Sequence, residues 1–214
     1  MSNYKNGNKT RIKILEASKK LFYENGYKNT RIEMIGKSID KPKSLVNYHF
    51  HKKSDILVVI MQDFQQKIYD YVLSSLDCKH LIKYFVCNKA YYHLLNYDSK
   101  TTKFSQEVLN TTDRTIDTYK NFQRVFRDLI KYMKLDNITN DNLILKEISF
   151  LGSNRELMNN YYKGTLDMTL DDVINLININ SCKLFGISNI KINEYSIKSD
   201  EMYNSLDFFN LKLF

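Results

Sequence analysis

The chain has 214 residues, 43% of them hydrophobic and 26% charged, the balance of a folded globular protein and not of a disordered or fibrous one. One proline and six glycines are too few turn formers for an all-β sandwich, and the two alanines (Ala17, Ala90) do not change that, so an all-α fold is expected. The longest apolar run, residues 56–61, is six residues against the roughly 20 that a membrane span needs, and the N-terminus shows no apolar signal-peptide core, so cytoplasmic localisation without a membrane partner is expected. Three cysteines without CxxC spacing read as reduced thiols. The formal net charge of +8 is unevenly placed. Residues 1–56 hold 13 of the 32 basic and 5 of the 24 acidic side chains, which is the whole excess, so the remainder is neutral. That asymmetry is the footprint of a small nucleic-acid-binding module joined to an uncharged body.

The basic segment reads as three short helices. From Thr10, Ile14, Leu15, Leu21 and Phe22, with Ser18 between them, share one helical face. Asn25-Gly26 ends that helix, since Gly26 can take the left-handed conformation of a helix stop and Tyr27 can fold back as its apolar contact. Thr30-Arg31-Ile32-Glu33 has capping-box spacing, and Ile32, Ile35 and Ile39 then line about two turns. Asp40-Lys41-Pro42 interrupts, and a third helix opens there and runs to about Phe50. A helix, a tight turn and a second short helix make a helix-turn-helix.

Ile14-Leu15-x-Ala17, Leu21-Phe22-x-x-x-Gly26-Tyr27, Thr30, Ile35-Gly36 and Tyr48-His49-Phe50-x-x-Lys53-x-x-Ile56-Leu57 together resemble the DNA-binding domain of the TetR family of bacterial transcription regulators over residues 10–57. Asn47, Gly36 and Asp40 depart from that pattern, where Tyr, Ala and Gly are usual. The resemblance implies a helix-turn-helix DNA-binding domain over 1–53 and an all-helical effector-binding and dimerisation domain over 54–214.

On the third helix, Lys43, Ser44, Asn47, Tyr48 and His49 form a polar face while Val46 and Phe50 point inward. Lys43 has donors for guanine, and Asn47 the amide for paired hydrogen bonds to adenine or for the backbone. Tyr48 and His49 match family positions that touch phosphate or thymine methyl groups. Lys53, in the first turn of the next helix, is expected to meet a phosphate there, and Thr30 and Arg31 are expected to do the same at the start of the second helix.

Beyond Phe50, Ile56, Ile60, Phe64 and Ile68 mark a long helix over 54–76, and further helices are expected over 79–96, 103–110, 113–133, 140–163, 169–184 and 190–211. Thr169-Leu170-Asp171-Asp172 caps the penultimate one and Gly186 closes it. Aromatic side chains in this region suit an apolar or aromatic ligand. The candidate effector contacts are Tyr84, Tyr91, Tyr92, Phe122 and Phe126, with Met61, Phe64 and Ile68 on the inner face of the long helix, where a wedged ligand would pivot it. The dimer interface is expected in residues 143–151 and 173–184. There is no GxSxG, GxGxxG, GxxxxGK[ST] or HExxH, so no enzyme is expected. Cys78, His80, Cys87 and His93 do not have zinc spacing, so neither metal nor cofactor is expected.

The expected function is therefore a homodimeric transcriptional repressor that binds a palindromic double-stranded DNA operator and is released by a small-molecule effector. The alternative is the same DNA-binding head on a body that recognises a protein partner or nucleoid DNA without an inducer.

Overall fold

The computed structural model describes residues 2–111 and 140–214, and every regular element among them is helical. The helix expected over 113–133, with Phe122 and Phe126, lies outside the described residues. The elements are α1 (Ser2–Asn25), α2 (Ile32–Ser38), α3 (Lys43–His49), α4 (Lys53–Ser75), α5 (His80–Leu95), α6 (Ser99–Leu109), α7 (Asn140–Tyr162), α8 (Leu170–Leu184) and α9 (Asn189–Asn204), followed by a 3-10 turn at Phe209–Leu211. No described helix is long and apolar enough to cross a membrane.

The chain divides into two compact units. The first takes residues 1–64, 95–119 and 212–214, so its described part combines α1 to α3 and the first half of α4 with α6 and the last three residues. Ile14, Phe22, Ile35, Val46, Ile56 and Phe64 form its buried apolar centre. Gly26 has φ +83° and Tyr27 packs edge-on against Phe22 at 5.2 Å, which is the helix stop expected from the sequence. α6 begins earlier than expected because Asp98 caps it, accepting the Thr101 N–H at 2.7 Å. The same carboxylate accepts from the Tyr23 hydroxyl at 3.1 Å, which ties the start of α6 to α1. Phe104, on the inner face of α6, is fully buried between Phe22 and Phe214, with ring centroids 6.0 and 4.9 Å away.

The second unit takes residues 65–94 and 120–211, and its described part holds the rest of α4 with α5, α7, α8 and α9. α8 opens with the expected capping box, in which the Thr169 hydroxyl accepts the Asp172 N–H while the Asp172 carboxylate accepts the Thr169 N–H. Val173, Ile174 and Ile177 of α8 are fully buried, and Asn88 donates to Asn178 at 2.7 Å within the same core. Lys89 of α5 bridges Asp171 of α8 and Asp200 of α9 at 2.9 and 2.6 Å, and His93 reaches Asp171 at 3.1 Å. α9 ends at Asn204, short of the expected 211.

That charge cluster gives a pH dependence of known sign. Burial alone would raise the Asp171 carboxyl, but hydrogen bonds from Lys89 and His93 outweigh it and hold the group below its ordinary 3.8. Its stabilising contribution is therefore complete above about pH 4 and is lost as pH falls through the depressed value. Asp171 is half exposed, so the contribution is on the order of 1 kcal/mol or less. Melting curves of Asp171→Asn and the wild type should differ by a few degrees at pH 7, and the difference should shrink as pH falls below the ordinary carboxyl value. A difference that stays constant however far the pH is lowered would mean that packing, not charge, is what the substitution removes.

Candidate nucleic-acid interface

The DNA-facing candidates sit on a frame built from the turn between α1 and α2. Thr30 is fully buried, and its hydroxyl donates to the Leu21 and Gly26 carbonyls at 3.1 and 2.8 Å. The hydroxyl therefore closes the α1 end of the turn and does not cap α2, whose N-cap is Arg31 with no side-chain bond. The capping-box spacing is present, but the hydroxyl is directed to the two carbonyls at the end of α1 and makes no bond to the amides of α2. Glu33, the other half of the expected box, pairs instead with Lys43 of α3 at 2.5 Å, and that partner holds its carboxyl below the usual range. The pair joins the first turns of two exposed short helices, a geometric role more than an energetic one.

Lys53 completes the frame. Its ammonium donates to the Tyr27, Thr30 and Lys28 carbonyls at 2.6, 2.8 and 3.4 Å and lies 4.3 Å from the centre of the Tyr27 ring. Burial pushes its pKa below the ordinary lysine value, against the opposing pull of Glu107. Expected from its place in the first turn of α4 to meet a phosphate, the ammonium spends its three donors on carbonyls of the turn.

α3 stands on this frame with Val46 and Phe50 buried beneath it and the Arg11 guanidinium 4.9 Å from the Phe50 ring. Above that anchor Lys43 and Ser44 are exposed, and Tyr48 is 79% exposed with its ring edge against His49 at 5.2 Å. An aromatic ring this open, on the polar face of a short helix, gains nothing from the protein's own packing. Asn47 is half-buried, and its Oδ1 is enclosed without a hydrogen-bond partner among the described residues. Along the α1–α2 turn and α2 a groove of about 650 Å³ is lined by Lys28, Asn29, Arg31, Glu33, Met34 and Lys37. Lys28, Asn29 and Lys37 were not singled out from the sequence; the charge excess of residues 1–56 was the signal that pointed at them. Arg31, which was, lies in the same groove.

The turn between α2 and α3 is closed by the Lys41 N–H on the Gly36 carbonyl at 2.9 Å, with Asp40 in the left-handed region at φ +54°. A side chain there costs about 1 kcal/mol, partly offset in unfolded-chain entropy if glycine replaces it. Asp40→Gly should therefore raise the stability of this unit by about 0.5 kcal/mol in denaturant titration, and a loss of stability would show that the Asp40 side chain contributes more than its backbone strain costs.

Residues 14–60 match the family described as bacterial regulatory proteins of the tetR family. Through this head the chain is similar to the tetR family. It is a DNA-binding transcriptional regulator whose described elements are all helical, and the matched family is one of regulatory proteins. No curated protein sequence matches the chain. Among solved structures, RolR in complex with resorcinol is 18% identical with a TM-score of 0.65, covering 90% of this chain and 95% of its own. RolR without ligand is 14% identical with a TM-score of 0.62, covering 87% and 96%. The fatty acid degradation regulator FadR from Bacillus halodurans is 16% identical with a TM-score of 0.51, covering 81% and 93%. At these identities the likeness is one of fold.

The expected effector contacts divide between the two units. Met61 and Phe64 are buried in the first. Ile68, Tyr84 and Tyr92 are buried and Tyr91 half-buried in the second. Burial of the Tyr84 hydroxyl raises its pKa strongly, against the opposing pull of the nearby polar side chains of Ser181 and Asn88. Its phenol is therefore neutral, a group that offers both a donor and an acceptor.

Proposed function

We propose that the chain is a transcriptional repressor that binds a palindromic operator as a homodimer in the cytoplasm and is released by a small apolar or aromatic effector. The observation that carries this reading is the exposed face of α3, with Lys43, Ser44 and Tyr48 open while Val46 and Phe50 are buried below, together with a basic groove along α2. Lys43, Ser44, Asn47, Tyr48 and His49 read bases or touch the backbone, and Arg31 with its neighbours Lys28 and Lys37 neutralises phosphates. Thr30 and Lys53 serve that surface by holding the turn beneath it. A helix as short as α3 reads only a few base pairs, so a second copy is needed for a specific site. Ile144, Leu145 and Ile148 form an exposed aliphatic face on α7, within the stretch expected to pair. For the effector, the neutral Tyr84 phenol with Tyr91, Tyr92 and Ile68 offers large apolar faces and a few hydrogen-bonding tips. RolR, of the same fold, has been solved with the phenolic compound resorcinol.

The test is selection of duplex DNA from a random pool, followed by affinity measured against salt. A two-fold symmetric sequence with half-sites about one helical turn apart should emerge, its affinity should fall steeply with salt at a log–log slope near −0.9 per phosphate contact, and sedimentation should give a dimer. A pool that never enriches, or binding that is flat in salt, would remove the proposal.

A further inference from the structure

The turn between α1 and α2 is gripped from two sides, and only one grip belongs to the helix-turn-helix and the helix that follows it. Lys53 holds the carbonyls. On the other side Glu107, near the end of α6, accepts the Lys28 N–H at 2.9 Å. Both oxygens of that carboxylate lie 2.8 Å from where a Cβ on Gly26 would stand, so Gly26 leaves the seat that the carboxylate fills. α6 is itself fixed along α1 by the Tyr23 bond to Asp98 and by Phe104 against Phe22. Glu107 and Lys53 bracket one turn with opposite charges, and all of these residues belong to the first unit. The turn runs directly into Arg31 at the N-cap of α2, and buried Thr30 ties it to the end of α1, so it cannot shift without moving the start of α2.

We infer that Glu107 is a positioning residue for the DNA-facing surface: from α6 it fixes the turn that places Arg31 and α2, so that an element far away in sequence sets the head's affinity for DNA. This rests on the reading above that the head binds operator DNA, and it assigns to that surface a residue outside it.

The test uses the intact chain and the duplex that the wild-type protein enriches from a random pool. Glu107→Ala removes the acceptor; Glu107→Gln keeps one acceptor oxygen. In Glu107→Ala the Lys28 amide should exchange with solvent about tenfold faster and the duplex should bind about tenfold more weakly, the loss of one charge-assisted hydrogen bond. Glu107→Gln should recover most of both. The melting temperature should move by only about one or two degrees, because the bond is solvent-exposed. Faster Lys28 exchange with unchanged DNA affinity would overturn the inference, and so would an affinity loss matched by a large fall in melting temperature, which is the mark of a merely structural residue. Unchanged Lys28 exchange in Glu107→Ala overturns it without DNA. Failure of the wild-type protein to enrich any duplex instead strikes the DNA-binding reading, and the inference with it.

Discussion

Replacing Phe104 with alanine is expected to cost the first unit about 3–5 kcal/mol, the range for removing a fully buried phenylalanine from a packed site. The ring is enclosed by Phe22 on one side and Phe214 on the other, and neither neighbour can collapse into the gap without leaving its own packing. Because α6 lies along α1, the loss should appear as a lower-temperature transition that takes the head with it. Differential scanning calorimetry would show this directly. A change under about 1 kcal/mol would mean that the cavity is refilled and that α6 is held mainly by its polar ends, Asp98 and Glu107.

The second large effect separates two cations that look alike in sequence. Lys53→Met keeps the apolar stem but removes a cation that three carbonyls share, so it should destabilise the head by about 1–3 kcal/mol and weaken DNA binding. Its charge is spent inside the protein, however, so the salt dependence of the remaining binding should keep nearly the wild-type slope. Arg31→Ala should do the reverse, leaving stability almost unchanged while flattening the log–log slope by about one, since Arg31 lies exposed in the basic groove. If Lys53→Met flattens the slope by a full unit, the ammonium leaves its carbonyls to meet a phosphate when DNA binds.

The head was legible in the sequence because its signals are local. Gly26, the apolar face of Ile14 and Phe22, and the Val46 and Phe50 anchor are set by spacing within one or two turns, and the structure has each of them where that spacing puts it. The cap at Thr169 was readable for the same reason, and the structure completes it as a capping box. What failed was any feature in which a side chain chooses between a local and a distant partner. Thr30 and Glu33 had the right spacing for a box, yet one went back to α1 and the other across to α3. The carbonyls that hold Lys53 lie more than twenty residues earlier, so its place in the first turn of α4 gave no sign of them. Glu107 carried no signal at all, since a lone glutamate near a helix end is ordinary until the fold brings Gly26 beneath it.

The place of Phe214 beside Phe104 and Tyr23 bears on how the protein is made. On the ribosome α1 to α3 emerge well before α6, so the aromatic seam on their flank stays open until α6 arrives and is closed only after residues 212–214 are made. Domains ordinarily fold as they appear, with the N-terminal one complete before the rest is translated. Here a unit that begins with α1 waits for residues 212–214, far along the chain. Contacts of such long sequence separation form slowly, and an apolar flank left open in the meantime is where a nascent chain aggregates or recruits a chaperone.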